Sequence, residues 1–124
     1  MLIDNNPADN FYHRIVIEDS QIASNVIEFE SSELALNFLK EPTQTIDLVF
    51  LDINMPGVDG FEFLDILDPV ENMEWGGAVL VVLTNSLRGA DMERAMRNGK
   101  ASAYLSKPLT EQHLWSIVRE HFSI

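Results

Sequence analysis

The sequence predicts an α/β fold in which a parallel sheet is covered by helices on both faces. Three observations lead there. The stretches Ile46–Leu51, Ala78–Leu83 and Ala101–Leu105 are apolar throughout except at Asp47 and Ser102, rather than alternating, as strands buried on both faces are expected to be. Between such stretches lie segments whose apolar residues repeat at helical spacing. The length, 124 residues, suits one domain with a substantial core.

The elements follow in chain order. Met1–Ile3 reads as the end of a very short first strand. Asn6 is placed to cap the first helix, with Pro7 at its first position and Asp9 in its first turn. Proline there loses no needed hydrogen bond, and the acid complements the helix dipole. Ala8, Phe11 and Ile15 share one face and are the expected core contacts of this helix. Asn25–Ser31 is a half-polar second strand, expected nearer an edge. Ser31 or Ser32 caps a second helix with Leu34, Ala35, Phe38 and Leu39 inward. Ile46–Leu51 is the third strand. Asp59 caps a third helix that turns Phe63, Ile66 and Leu67 to the core. Asp68–Gly77, with Pro69, Trp75 and a Gly-Gly pair, reads as an irregular connection. Ala78–Leu83 is the fourth strand. Met92, Ala95 and Met96 form the stripe of a fourth helix, which Gly99 ends. Ala101–Leu105 is a weaker fifth strand. Thr110 caps a fifth helix bearing Leu114, Ile117, Val118 and Phe122, with Trp115 in the core or at its rim.

The pattern is β-α repeated five times. Parallel neighbours need crossover helices, and such crossovers are right-handed. The expected architecture is a doubly wound, three-layer sandwich with strand order 2-1-3-4-5, of the flavodoxin-like type. Residues 1–124 read as a single domain.

Composition narrows the function. The net charge of −12 repels phosphate backbones, so nucleic-acid binding is not expected. No apolar run approaches the ~18 residues of a membrane span. The start, MLIDNNPADN, has no basic segment and no apolar signal core. There are no cysteines, which removes disulfides, thiolate metal sites and thiol nucleophiles and fits a reducing compartment. A cytoplasmic location is expected. His13, His113 and His121 have no ligand spacing and read as surface or rim.

In a sheet of this kind ligands bind beyond the carboxyl ends of the strands, where the strand order reverses. Asp4 and Asn5 follow strand 1, Asp52 follows strand 3, Thr84 ends strand 4 and Lys107 follows strand 5. Taken singly, each has a plain structural reading as a helix cap, a turn residue or a surface charge. Together they place two acids, a hydroxyl and a cation in one crevice. Mg²⁺ takes one or two carboxylates and keeps waters and phosphate as its other ligands. A carboxylate can attack phosphorus to give an aspartyl phosphate. An ammonium and a hydroxyl suit the charge of the transferred group. Asp52, central among these, is the natural nucleophile.

The sequence resembles the receiver domain of bacterial two-component response regulators over nearly its whole length. LIDNN resembles the acidic-pair segment after strand 1. LDINMPGVDGFEFL is close to the phosphoacceptor motif D-x-N-M-P-x-x-D-G. VVLTNS resembles the hydroxyl segment, and AYLSKP the aromatic-x-x-Lys-Pro segment. The resemblance implies a phosphoprotein of a phosphorelay rather than an enzyme with a separate substrate, though it can catalyse its own phosphorylation and dephosphorylation. Asp52 would be the phosphoacceptor. Asp4, Asn5, Asp52 and the backbone carbonyl of Asn54 would hold Mg²⁺. Thr84 and Lys107 would bind the phosphoryl group, and Tyr104 would turn inward when Thr84 moves. The bond before Pro108 would be cis.

The implied phosphodonor is a histidine kinase or a histidine phosphotransfer protein. Output would pass to a downstream protein through the face bearing Asp91, Glu93, Arg94, Arg97, Tyr104 and Arg119. Neither nucleic acid nor membrane is an expected partner. The chain stops after the fifth helix, so a receiver that stands alone, or one cut from a longer protein, is expected.

Two residues depart from the family pattern. Asn5 stands where a second acid is usual, which predicts weaker metal binding and slower phosphorylation. Asn85 stands where a small residue is common, which predicts slower exchange at the site. These departures keep open an alternative: a pseudo-receiver that binds partners without phosphotransfer. A Mg²⁺-dependent phosphatase with an Asp nucleophile fits less well, because Asn54 stands where such an enzyme needs an acid-base carboxylate.

Overall fold

The computed structural model describes residues 1–23, 25–40, 44–54, 60–63, 78–86, 88–97 and 101–122. The strands are β1 (Leu2–Ile3), β2 (Glu28–Phe29), β3 (Leu48–Leu51), β4 (Val79–Thr84) and β5 (Ala103–Ser106). The helices are α1 (Pro7–Ser20), α2 (Ser32–Lys40), α4 (Gly89–Met96) and α5 (Glu111–His121), and α3 is helical over the described residues 60–63. All strand pairs are parallel, in the order β2-β1-β3-β4-β5. This is the order expected from the strand-helix alternation.

The continuous apolarity of β3 and β4 divides between the two faces of the sheet. Val49, Leu51, Leu80 and Val82 join Ile3, Leu39, Ile53, Phe63 and Ala95 in one core cluster. Phe50, Val79, Val81 and Leu83 join Leu2, Ile17, Leu109, Leu114 and Ile117 in the other. Successive strand residues point to opposite faces, so a strand clothed on both sides has no polar position to offer.

The ladders are shorter than the apolar runs. β1 has two residues, held from both sides. Leu2 N–H donates to the Ile27 carbonyl at 2.8 Å and Asp4 N–H to Phe29 at 3.0 Å. Phe50 N–H donates to Met1 at 2.9 Å and Asp52 N–H to Ile3 at 2.9 Å. The Met1 amine donates to the Leu48 carbonyl at 2.8 Å, and its burial there lowers its pKa to about 6. These bonds tie Asp4 and Asp52, each one residue past its strand, to the same end of the sheet.

Helix starts follow the expected caps. Asn6 Oδ1 accepts from Ala8 and Asp9 N–H, Ser31 Oγ from Glu33 and Leu34 N–H, and Thr110 Oγ1 from His113 N–H. On α5, Leu114, Ile117 and Val118 are buried as expected, and Phe122 is partly buried.

The inward faces of three other helices differ from expectation. On α1 the buried residues are Asn10, His13, Ile17 and Ser20, while Phe11 is 63% and Ile15 40% exposed. The Asn10 side-chain amide donates to the Asp4 carbonyl at 2.9 Å, which turns this polar residue inward and the aromatic one out. His13, read as surface or rim, is buried. On α2, Leu36 is buried and Leu34 exposed. On α4, Ala95 is buried, Met96 is partly buried and Met92 is exposed. Phe63 is fully buried as expected. Asp59, Ile66, Leu67, Asp68–Gly77 and Gly99 lie outside the described residues.

Candidate functional site

Side chains from four of the five strand ends meet at one edge. Asp4 Oδ1 accepts from Asn6 N–H at 2.9 Å, an Asx-type bond that fixes the carboxylate as the chain enters α1. Asp52 Oδ1 accepts from Asn54 N–H at 3.1 Å in the same way. Each acid thus has its first oxygen anchored to the backbone and its second free to face the crevice. The second oxygens converge on one cation: Lys107 Nζ lies 2.6 Å from Asp4 Oδ2 and 3.3 Å from Asp52 Oδ2. All three side chains are buried.

Lys107 reaches this point because its own backbone is pinned. Its N–H donates to the Thr84 carbonyl at 2.9 Å, and the Lys107–Pro108 bond is cis. Thr84 is fully buried at the end of β4. Its Oγ1 accepts from Ser86 N–H at 3.2 Å and from the Asn54 side-chain amide at 3.4 Å. Tyr104 is half-buried on β5. Its hydroxyl donates to the Ser86 carbonyl at 3.2 Å, two residues after Thr84. Ser86 Oγ also donates to Asp91 of α4. Asn5 and Asn85 are exposed, and so is Asn54.

The electrostatics follow from burial and neighbours. Burial pushes the Asp52 carboxyl above the usual carboxylate range; the Asn54 N–H and the Lys107 charge offset part of this, and Asp4 adds to it. For Lys107, burial alone disfavours the charged form. Hydrogen bonds to Asp4 and Asp9 and the charge of Asp52 outweigh it, so the ammonium is held more firmly than a free lysine's. Burial lowers the pKa of His13, and the Lys107 charge lowers it further, against weaker opposition from Asp9 and Asp4.

The donor set fits Mg²⁺. Two carboxylates turn their free oxygens to one point, where an ammonium now stands as a cation. A hard divalent ion takes such oxygens and completes its shell with water. Among the described residues, no group of three or more acidic or imidazole side chains forms a fuller metal cage.

Three participants were not singled out from sequence. Asp9, read only as a helix-dipole residue, has its Oδ2 2.8 Å from Lys107 Nζ. Asn10 and His13 line the small space behind the acids, with Asp4 and Asp52. The available signal was position: a helix that starts beside Asp4 must set its first turn on the rim.

The family model for the response regulator receiver domain matches residues 1–119. The chain belongs to that family. Among curated proteins, this receiver is 28% identical over 118 residues to the sensor histidine kinase GacS of Pseudomonas protegens, covering 95% of this chain and 12% of that protein. It is 29% identical over 104 residues to the KDP operon transcriptional regulatory protein KdpE of Escherichia coli, covering 76% of this chain and 44% of that one. The receiver thus spans less than half of the curated relatives named here. Among solved structures, a two-component response regulator from Cytophaga hutchinsonii superimposes with a TM-score of 0.85 at 26% identity, covering 99% of this chain and 95% of that one. Among the described residues, no helix is long and apolar enough to cross a membrane.

Proposed function

We propose that this receiver accepts a phosphoryl group on Asp52 in a Mg²⁺-dependent reaction and thereby changes its affinity for a protein partner. The observation that carries the reading is the convergence of Asp4 Oδ2 and Asp52 Oδ2 on the Lys107 ammonium. An oxygen of Asp52 forms the bond to phosphorus as the bond from phosphorus to a donor imidazole nitrogen breaks. The imidazole leaves with that electron pair and takes up a proton. Lys107 and Thr84 are placed to hold the phosphoryl oxygens. Mg²⁺ held by Asp4, Asp52, the Asn54 carbonyl and Asn5 would neutralise charge on the transferred group. The chain acts on itself and on no separate substrate.

The donor in this reading is a histidine kinase or a histidine phosphotransfer protein in the cytoplasm. The resemblance to a segment of a sensor histidine kinase supports that pairing. Output runs through the α4-β5-α5 side. Phosphorylation biases a two-state element there, and a partner that prefers one state responds. Thr84, Ser86 and Tyr104 already form a connected path from the crevice to Asp91 on α4.

The test is incubation of the chain with acetyl phosphate and Mg²⁺, followed by intact mass analysis. The expected result is a mass gain of one phosphoryl group that is absent without Mg²⁺ and absent in Asp52→Asn. A wild-type chain that stays unmodified is a pseudo-receiver, and the proposal fails. Turnover of a phosphoester would support the phosphatase reading instead.

A further inference from the structure

The phosphoacceptor reading leaves one rim carboxylate without a task. Lys107 has three ammonium N–H donors, and three carboxylates stand around it: Asp4 at 2.6 Å, Asp9 at 2.8 Å and Asp52 at 3.3 Å. The lysine side chain is only 7% exposed, so a lost partner is not readily replaced by water. The three partners differ in origin. Asp4 and Asp52 come from strand tips. Asp9 comes from the first turn of α1 and is a third exposed.

The proposed chemistry makes two of these partners unreliable. An Asp52 oxygen becomes the oxygen bonded to phosphorus, and Asp4 turns toward a divalent cation. A dication also repels the neighbouring ammonium. Asp9 is the partner that neither event removes. Charge points the same way. Three carboxylates and one ammonium leave two net negative charges at the rim. Without Asp9 one would remain, because position 5 carries a neutral asparagine.

We propose that Asp9 is a positioning residue. It keeps the Lys107 ammonium at the rim while Asp4 and Asp52 are engaged, and it supplies from α1 the negative charge that Asn5 does not. The assignment rests on the phosphoacceptor reading of the site. Asp9 acts through Lys107, not as a metal ligand. Removing its charge leaves the whole ammonium to Asp4 and Asp52, where it competes with the metal.

The experiment is calorimetric titration of Mg²⁺ into the wild-type chain, Asp9→Asn, Asp9→Glu and the double variant Asp9→Asn/Asn5→Asp, with no phosphodonor present. Asparagine keeps the shape and an acceptor oxygen and removes only the charge. Asp9→Asn is expected to weaken Mg²⁺ binding about three- to tenfold, the scale of one unit charge acting on a dication across a partly wet site. Asp9→Glu is expected to stay near wild type, and Asn5→Asp to restore binding in the double variant. A helix-dipole role alone would not be rescued by an acid at position 5, outside α1. Wild-type affinity in Asp9→Asn, no rescue in the double variant, or no Mg²⁺ binding by the wild-type chain overturns the proposal. Because no phosphodonor is used, the outcomes separate. A chain that shows this binding pattern yet gains no phosphoryl group on Asp52 refutes the phosphotransfer reading and leaves only the effect of the Asp9 charge on metal binding in force.

Discussion

Replacing Gly60 by alanine tests how closely the chain folds back on its own site. Gly60 opens the described part of α3, and its N–H donates to the Ile53 carbonyl at 3.2 Å. In a helix, glycine to alanine normally stabilises by about 0.5–1 kcal/mol, because it removes backbone freedom from the unfolded chain. Here the sign reverses. A Cβ at Gly60 would stand 2.3 Å from Ile53 Cα, 2.8 Å from the Asp52 carbonyl oxygen and 2.8 Å from Ile53 Cγ2. Carbon atoms in ordinary contact sit roughly 3.5–4.0 Å apart, so the overlap with Ile53 Cα alone is about 1 Å or more. Two of the three obstacles are backbone and cannot rotate away. Overpacking costs about 1–3 kcal/mol, and backbone obstacles place this case near 3. The entropy gain offsets at most about a third of it. For a domain of this size that is a fall of roughly 10 °C in Tm. The displaced residues are Asp52 and Ile53 themselves, so the phosphorylation proposed for Asp52 is expected to slow as well. Thermal unfolding followed by circular dichroism measures the first effect and intact mass against time the second. A Gly60→Ala chain that melts at or above the wild-type temperature refutes the reasoning.

Other consequences are as direct. Phe63 is fully buried and Phe11 is not, so Phe63→Ala is expected to cost about 3–5 kcal/mol and Phe11→Ala within about 0.5 kcal/mol, read by urea unfolding; similar losses would show that the inward face of α1 is misassigned. Lys107→Met removes the cation and keeps the apolar stem. It is expected to slow phosphorylation of Asp52 about 10²- to 10³-fold while tightening Mg²⁺ binding, since Asp4 and Asp52 then face the metal without a competing ammonium; unchanged kinetics would count against the role given to Lys107. His13 has its pKa lowered on folding, first by burial and then by the Lys107 charge. Its stabilising contribution is therefore present above the unfolded-state value near 6.5 and is lost as the pH falls through the lower folded value. Urea midpoints from pH 7.5 down to pH 5 should fall more for wild type than for His13→Gln, and parallel curves would contradict this.

Much of the fold was legible because strands buried on both faces leave a plain mark. Leu48–Leu51 and Val79–Leu83 are continuously apolar, and each run stops at the rim. Asp4, Asp52, Thr84 and Lys107 came together for the same reason: parallel strands share one carboxyl end. The face of α1 was not legible. Phe11 and Ile15 outweigh Asn10 and His13 by hydrophobicity, but a single bond from Asn10 to the Asp4 carbonyl fixes the rotation of the helix. Nothing in the periodicity announces that bond. Asp9 was hidden in another way. An acid in a first helical turn has a sufficient local reason to be there, and its second partner lies 98 residues away in sequence. The apolar runs also overstated strand length: Ile46 packs partly buried against the core, yet β3 begins only at Leu48.

Ser86 shows how such a site can be retuned. It meets four neighbours with three different groups: its N–H donates to Thr84 Oγ1, its carbonyl accepts from Tyr104, and its hydroxyl donates to Asp91 and accepts from Arg88 N–H. Any amino acid other than proline brings the first two. Only the last depends on what is encoded at this position. One codon change can therefore disconnect α4 from the crevice while the tyrosine stays attached, so sensitivity to the signal and strength of output can drift apart over generations without the sheet being rebuilt.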